Sequence, residues 1–222
     1  MSTFRIAVIG GTGPQGKGLG YRWARHGHEV VIGSRSAEKA VPVAHEVADR
    51  IRSEGGAPVV SGASNADAAA AADVVVLAVP YAGHDELVAS LAEQLAGKVV
   101  ISCVNPLGFD RTGPYGLDVE RSAAESAAAL VPSASVVGAF HHVSAPTLWS
   151  QAEYLDHEDV LVCGDSAEAK EVAVELARAV TSRPGVDAGA LRLARQLEPL
   201  TAVLISINKK YKIRSGIRIS GL

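Results

Sequence analysis

Residues 11–16 read Gly-Thr-Gly-Pro-Gln-Gly, directly after the apolar run Ile6-Ala7-Val8-Ile9. A G-x-G-x-x-G turn between a buried strand and a helix is built to hold phosphate. Gly11 permits the tight turn, Gly13 lets the backbone close on a pyrophosphate, and Gly16 lets helix and strand touch. Thr12, Pro14 and Gln15 fill the loop, and the anion rests on the positive end of the helix that follows. The hexapeptide alone is weak evidence. Followed by a helix and a second apolar strand in register, it specifies a dinucleotide-binding unit.

The second strand settles which dinucleotide is expected. An NAD-binding unit carries an acidic residue there, for the ribose hydroxyls. This chain has Gly33-Ser34-Arg35, with Lys39 four residues on. Ser34 can donate a hydrogen bond, Arg35 offers a planar guanidinium to phosphate oxygens, and Lys39 adds charge. Cations also oppose the dipole at a helix start, so the set asks for an anion. The reading is NADP(H).

Ala78-Val79-Pro80-Tyr81 closes the strongest strand pattern, at the carboxyl edge where open α/β sheets bind ligands. Backbone near the nicotinamide ribose is the expected use. Tyr81 fits either a wall of that site or ordinary surface packing, and His84 either reaches the cofactor or is structural. His141 follows another strand, as a substrate contact, a proton donor or a polar strand cap. His142 is its neighbour, so in an extended segment the two face opposite ways and cannot share a metal. No catalytic carboxylate pair, Ser/His/Asp set or metal-ligand spacing is present. Carbonyl or imine reduction calls for a placed proton donor, whereas hydride transfer between two cofactors mainly needs their carbons held at about 3–3.5 Å. The expected site therefore works by positioning, without a catalytic residue or a metal.

The elements that position these residues alternate. β-Branched apolar runs at 5–10, 29–33, 58–61, 73–79, 98–103, 135–140 and 159–164 are separated by helical stretches at 16–27, 36–53, 65–72, 83–96, 120–130 and 167–180. Such alternation predicts an α/β fold, a doubly wound, mostly parallel Rossmann-type sheet. Breaker-rich 105–116 is expected to be a loop, and 186–188 a short final strand. Residues 191–211 predict a helix apolar on more than one face, offset at Pro199. We accordingly expect an NADP-binding domain over 1–188 and a small helical appendage over 189–222.

The chain is 48% hydrophobic and 20% charged, with a formal charge of −3. That composition belongs to a globular protein, and the charge gives no reason to expect nucleic acid or an anionic membrane as partner. No long uninterrupted apolar run predicts a membrane span. Cys103 and Cys163 suggest no disulfide framework, consistent with a reduced cytoplasmic protein. The last stretch holds Lys209, Lys210, Lys212, Arg214 and Arg218 without an acid.

The chain resembles the F420-dependent NADP oxidoreductases. The resemblance rests on GGTGPQGKGLGYRWARHGHEVVIGSR with Lys39, on Ala78 to Tyr81, on Ala139-Phe140-His141-His142, on Val162-Cys163-Gly164-Asp165 and on Gly216-Ile217-Arg218-Ile219, and it covers essentially the full length. It implies a cytoplasmic homodimer passing a hydride reversibly between NADP(H) and the deazaflavin coenzyme F420. By position it gives NADP contacts to Thr12, Gly13, Pro14, Gln15, Ser34, Arg35 and Lys39, and places Ala78 to Tyr81 near the nicotinamide. His141, Val143, Ala145 and the Gly216-Ile217 region would line the deazaflavin pocket. Ser144 departs from the proline expected in some relatives, and Pro14-Gln15 is an unusual filling of the glycine loop. The basic tail then either attracts the anionic phosphodiester and glutamate chain of F420 or forms a solvated or inter-subunit surface.

Two other functions use the same cofactor half. One is an NADPH-dependent reductase of a small imine or carbonyl, whose relatives carry a larger helical domain than the roughly thirty residues after Leu191. The other is a non-enzymatic NADP(H) sensor.

Overall fold

In the computed structural model, which describes residues 3–222, the apolar runs become one eight-stranded sheet. β1 (Arg5–Ile9) lies between β2 (Glu29–Ser34) and β4 (Val74–Leu77), with β3 (Val59–Ser64) at the edge beyond β2. On the other side follow β5 (Val99–Ser102), β8 (Ser135–Ala139), β9 (Leu161–Gly164) and β10 (Val186–Gly189). Neighbours are parallel except β8 and β9. Alternate side chains of the central strands feed two cores: Ile6, Val8, Val30, Ile32, Val74 and Val76 point to one face, and Ala7, Ile9, Val31, Val75 and Leu77 to the other. A strand buried on both faces needs apolar residues throughout, which is why these runs show no polar alternation.

Three helices cover the first face: α1 (Pro14–Arg25), α2 (Ala37–Ser53) and α8 (Ala167–Thr181). The second is covered by α3 (Asn65–Ala71), α4 (His84–Ser90), α5 (Ala92–Leu95), α6 (Ala123–Leu130) and the start of α9 (Ala194–Tyr211). α9 follows a 3₁₀ turn over Leu191–Leu193 and continues unbroken through Pro199. No helix among the described residues is long and apolar enough to cross a membrane.

Four features depart from expectation. The helix expected over 83–96 is divided at Leu91 into α4 and α5. The expected loop at 105–116 contains an antiparallel hairpin, β6 (Leu107–Phe109) with β7 (Pro114–Gly116). Its turn is closed by Asp110, whose carboxylate accepts the N–H groups of Thr112 and Gly113. Thirdly, a short helix, α7 (Ala145–Leu148), lies in the segment between β8 and β9. Finally, that segment holds no helix long enough for a crossover, so the chain turns back and β9 runs antiparallel to β8.

Candidate active site

β1 and β4 are neighbours in the sheet. Their connections leave in opposite directions, so a crevice opens above their carboxyl ends. Two cavities occupy it. The first, about 530 Å³, is walled by Thr12 and Gly13 of the glycine loop, by Ser34, Arg35 and Lys39, and by Ala78, Val79 and Pro80 after β4. The second, about 320 Å³, is walled by Cys103 to Asn105, by His141 to Ala145, by Gln15 and by one face of α9. Ala78 and Val79 line both, so the cavities meet at that backbone.

The three glycines differ in the room around them. A Cβ on Gly11 would lie 2.7 Å from the Val8 carbonyl oxygen, and one on Gly16 2.7 Å from Gly11 Cα, whereas Gly13 has room, with nothing nearer than 3.5 Å. Pro14 is the first residue of α1, where its missing N–H is no loss. Gly13 caps that helix without a side-chain bond, and no acid stands in the first turn. The helix end therefore offers backbone N–H groups and a positive dipole to an anion. Arg35 and Lys39 are exposed at the rim while Ser34 is buried beside them.

His141 is 4% exposed, and neither ring nitrogen has a hydrogen-bond partner among the described residues. Burial, aided by the neighbouring His142, pushes its pKa down to about 3. It is therefore a neutral imidazole at physiological pH, with one N–H to donate and one nitrogen to accept. The polar-cap reading has no partner to support it. Its carbonyl, by contrast, accepts from Asn105 Nδ2 at 3.2 Å and from Thr201 Oγ1 at 3.0 Å. His142, also on the wall of the second cavity, bonds the Leu197 carbonyl through Nε2 at 2.6 Å. Burial also pushes the Cys103 thiol up to about 12.

Tyr81 lines neither cavity. Its ring stacks on His84 at 6.3 Å, and His84 bonds Asp85 through Nδ1 at 2.7 Å. Gly216 and Ile217 also lie outside both cavities. The Ile217 carbonyl accepts from Asp159 N–H at 2.6 Å, Ile219 N–H donates to the Asp159 carboxylate at 2.8 Å, and a Cβ on Gly216 would overlap Glu158. Ser215 meanwhile bonds Asn208 and the Leu204 carbonyl. The terminal segment is a strap joining α9 to the approach of β9, and glycine is needed where it crosses a buried carboxylate.

Several contributors were not foreseen. Asn65 lines the first cavity and accepts the Gly10 N–H at 3.4 Å, steadying the glycine loop. Asn105 leaves its Oδ1 buried and unpartnered among the described residues. Thr201, Leu204, Ile205 and Asn208 give the second cavity its α9 wall. Their spacing of three to four residues on one helix face was a signal available in the sequence. Arg22 pins the stretch that follows Ala145: fully buried, it donates to the carbonyls of Thr147, Leu148, Ala152 and Glu153.

A family described as NADP oxidoreductase coenzyme F420-dependent matches residues 5–106. An F420-dependent NADP reductase of Methanothermobacter thermautotrophicus is 41% identical over 98% of this chain and 95% of its own. The chain belongs to the F420-dependent NADP oxidoreductase family. A crystal structure from Arthrobacter sp. FB24, of a putative F420-dependent NADP reductase, superposes on this family member with a TM-score of 0.81 at 29% identity, covering 98% of this chain and 99% of that one. Pyrroline carboxylate reductase of Plasmodium falciparum, solved with NADP bound, shares the fold at 13% identity and a TM-score of 0.60, over 96% of this chain but only 66% of its own.

The residues fit the two groups the family name implies. The uncapped end of α1 and the Ser34, Arg35, Lys39 set suit a phosphorylated dinucleotide. The unpartnered Asn105 oxygen and His141 nitrogens suit a flat heterocycle with donors and acceptors on its rim.

Proposed function

We propose that this protein transfers a hydride reversibly between NADP(H) and F420. The observation that carries this reading is the meeting of two cavities at Ala78 and Val79, with no titrating acid or base at the junction. Gly13 and the N–H groups opening α1 bind the pyrophosphate; Ser34, Arg35 and Lys39 take the 2′-phosphate. Val79 and Pro80 set the depth of the nicotinamide ribose. Asn105, His141, Val143, Ala145 and the α9 face hold the deazaflavin, while Gly216 and Ile217 act through the strap. The nicotinamide and the deazaflavin supply the two-electron chemistry. The protein's part is to hold the two groups face to face and to exclude competing bases. Burial keeps the Cys103 thiol protonated and the His141 imidazole neutral.

We also propose a cytoplasmic homodimer. Leu193 before α9, Val203 and Tyr211 on it, and Phe109 and Tyr115 on the hairpin packed beside it are large and exposed. A second copy is the partner that continues such a surface. Sedimentation gives the oligomeric state. For the activity, protein, F420 and NADPH are mixed and the visible band of the deazaflavin is followed. Bleaching with matching NADPH oxidation is expected. NADPH oxidation only on adding an imine or ketone, or binding without turnover, overturns the proposal.

A further inference from the structure

Gln15 occupies the one position of the glycine loop whose side chain leaves the first cavity and enters the second. It is the second residue of α1, immediately after Pro14, and its Nε2 donates to the Phe140 carbonyl at 3.3 Å, across 125 residues of chain. Among the described residues no other side chain donates to that carbonyl.

Phe140 is an unusual residue to find at that point. Its φ is 61°. This is the left-handed region, which residues other than glycine avoid because Cβ crowds the backbone carbonyl there. Among the described residues the other two non-glycine residues with positive φ, Ser182 and Lys212, end helices, where this conformation is ordinary. Phe140 instead ends β8 as a buried aromatic, its ring held edge-to-face by Trp23 at 5.4 Å. Left-handed backbone turns the chain out of the strand and aims His141 to Ala145 into the second cavity. Were Phe140 extended, successive side chains would swap faces and the wall would be lost. The orientation of its carbonyl reports and fixes that turn.

We propose that Gln15 is a positioning residue that sets the registry between the two substrates, acting through the Phe140 carbonyl. This rests on the site assignment above. One end of Gln15 is anchored in the loop that receives the pyrophosphate; the other grips the head of the segment against which the deazaflavin lies. Gln15 thereby ties the wall that holds the hydride donor directly to the wall that holds the acceptor, beside the bonds that Asn105 and Thr201 make to the next carbonyl. Hydride transfer is steep in that distance, and a misplacement of about 1 Å costs on the order of a hundredfold.

The test uses Gln15→Met, which keeps the length and removes the donor, and Gln15→Ala. With both substrates saturating, single-turnover bleaching of F420 should slow about 5- to 30-fold. The isotope effect with NADPH deuterated at the transferred position should grow, and the Kd for NADP⁺ should stay within about twofold. Such a split between rate and binding, with a changed isotope effect, is not produced by a merely structural contact. Wild-type rates and isotope effects in both variants overturn the proposal, as does a loss of NADP⁺ affinity equal to the loss of rate. If wild type itself leaves F420 unreduced, the functional reading fails instead.

Discussion

Replacing Arg22 with methionine removes all five guanidinium hydrogen bonds at once, and the consequence can be worked out from where their acceptors lie. The bonds run from 2.6 to 3.2 Å, to Leu148, Ala152, Glu153 and Thr147 carbonyls and to Ser150 Oγ. Ala152 and Glu153 are exposed, so their carbonyls can turn to water. Leu148 is buried and Thr147 half-buried. Each carbonyl left without a partner costs about 1–3 kcal/mol. The penalty is softened because a buried cation, whose pKa burial already lowers, no longer has to be desolvated. A net loss of about 3 kcal/mol follows, and for a chain of this size Tm should fall by roughly 6–12 °C. Differential scanning calorimetry with and without NADP⁺ is the assay. NADP⁺ should still raise Tm in the variant, since the first cavity is intact, while limited proteolysis should cut between 147 and 153 faster than in wild type. A Tm within about 2 °C of wild type would mean that these carbonyls rehydrate freely and that Arg22 does not pin this stretch.

Arg35→Ala should raise KM for NADPH about 10- to 100-fold more than KM for NADH, the worth of a charge-assisted bond to phosphate, and equal effects would remove the 2′-phosphate assignment. Glu158 lies buried beneath the strap, and desolvation pushes its pKa from the ordinary 4.5 up to about 7, with Arg22 pulling the other way. The folded state holds this proton more tightly than the unfolded chain, so the contribution is fully present below the unfolded pKa and is lost as pH rises through the folded one. Wild-type stability should therefore decline between about pH 5 and 8 by about 1–3 kcal/mol more than that of Glu158→Gln; parallel profiles by denaturant titration count against it. Lys209 and Lys210 follow Asn208 at the rim of the second cavity. Charge reversal at both should weaken F420 binding about 3- to 10-fold at low salt and less at high salt. An unchanged salt dependence assigns the tail to another surface.

The first cavity was legible because its parts are local. A strand, a glycine turn, a helix and a second strand fall within about thirty residues, and each obeys a rule that operates over a few positions. Of the second cavity His141 alone was legible from its own position and Val143 and Ala145 through resemblance, because Asn105, His141 and Thr201 share no sequence neighbourhood; their meeting is a product of sheet order. Arg22 looked like one more cation on a basic helix, and nothing nearby announces that the Leu148 carbonyl it grips lies 126 residues away. The antiparallel turn of β9 escaped notice for a related reason. An apolar run reads the same in either direction, and only the missing crossover helix betrays it. Gly216-Ile217 was legible only as a signature; that it lies where a strap crosses Glu158 could not be read from its neighbours in the chain.

The two cavities also differ in when they can exist. Every residue on the wall of the first lies in the opening stretch of the chain, none beyond Leu87. The nucleotide half can therefore be assembled while the ribosome is still making the rest. The second waits for α9, far later in the chain, and for the strap beyond it. A chain halted before α9 would thus carry the residues that wall the first cavity but lack those that complete the second.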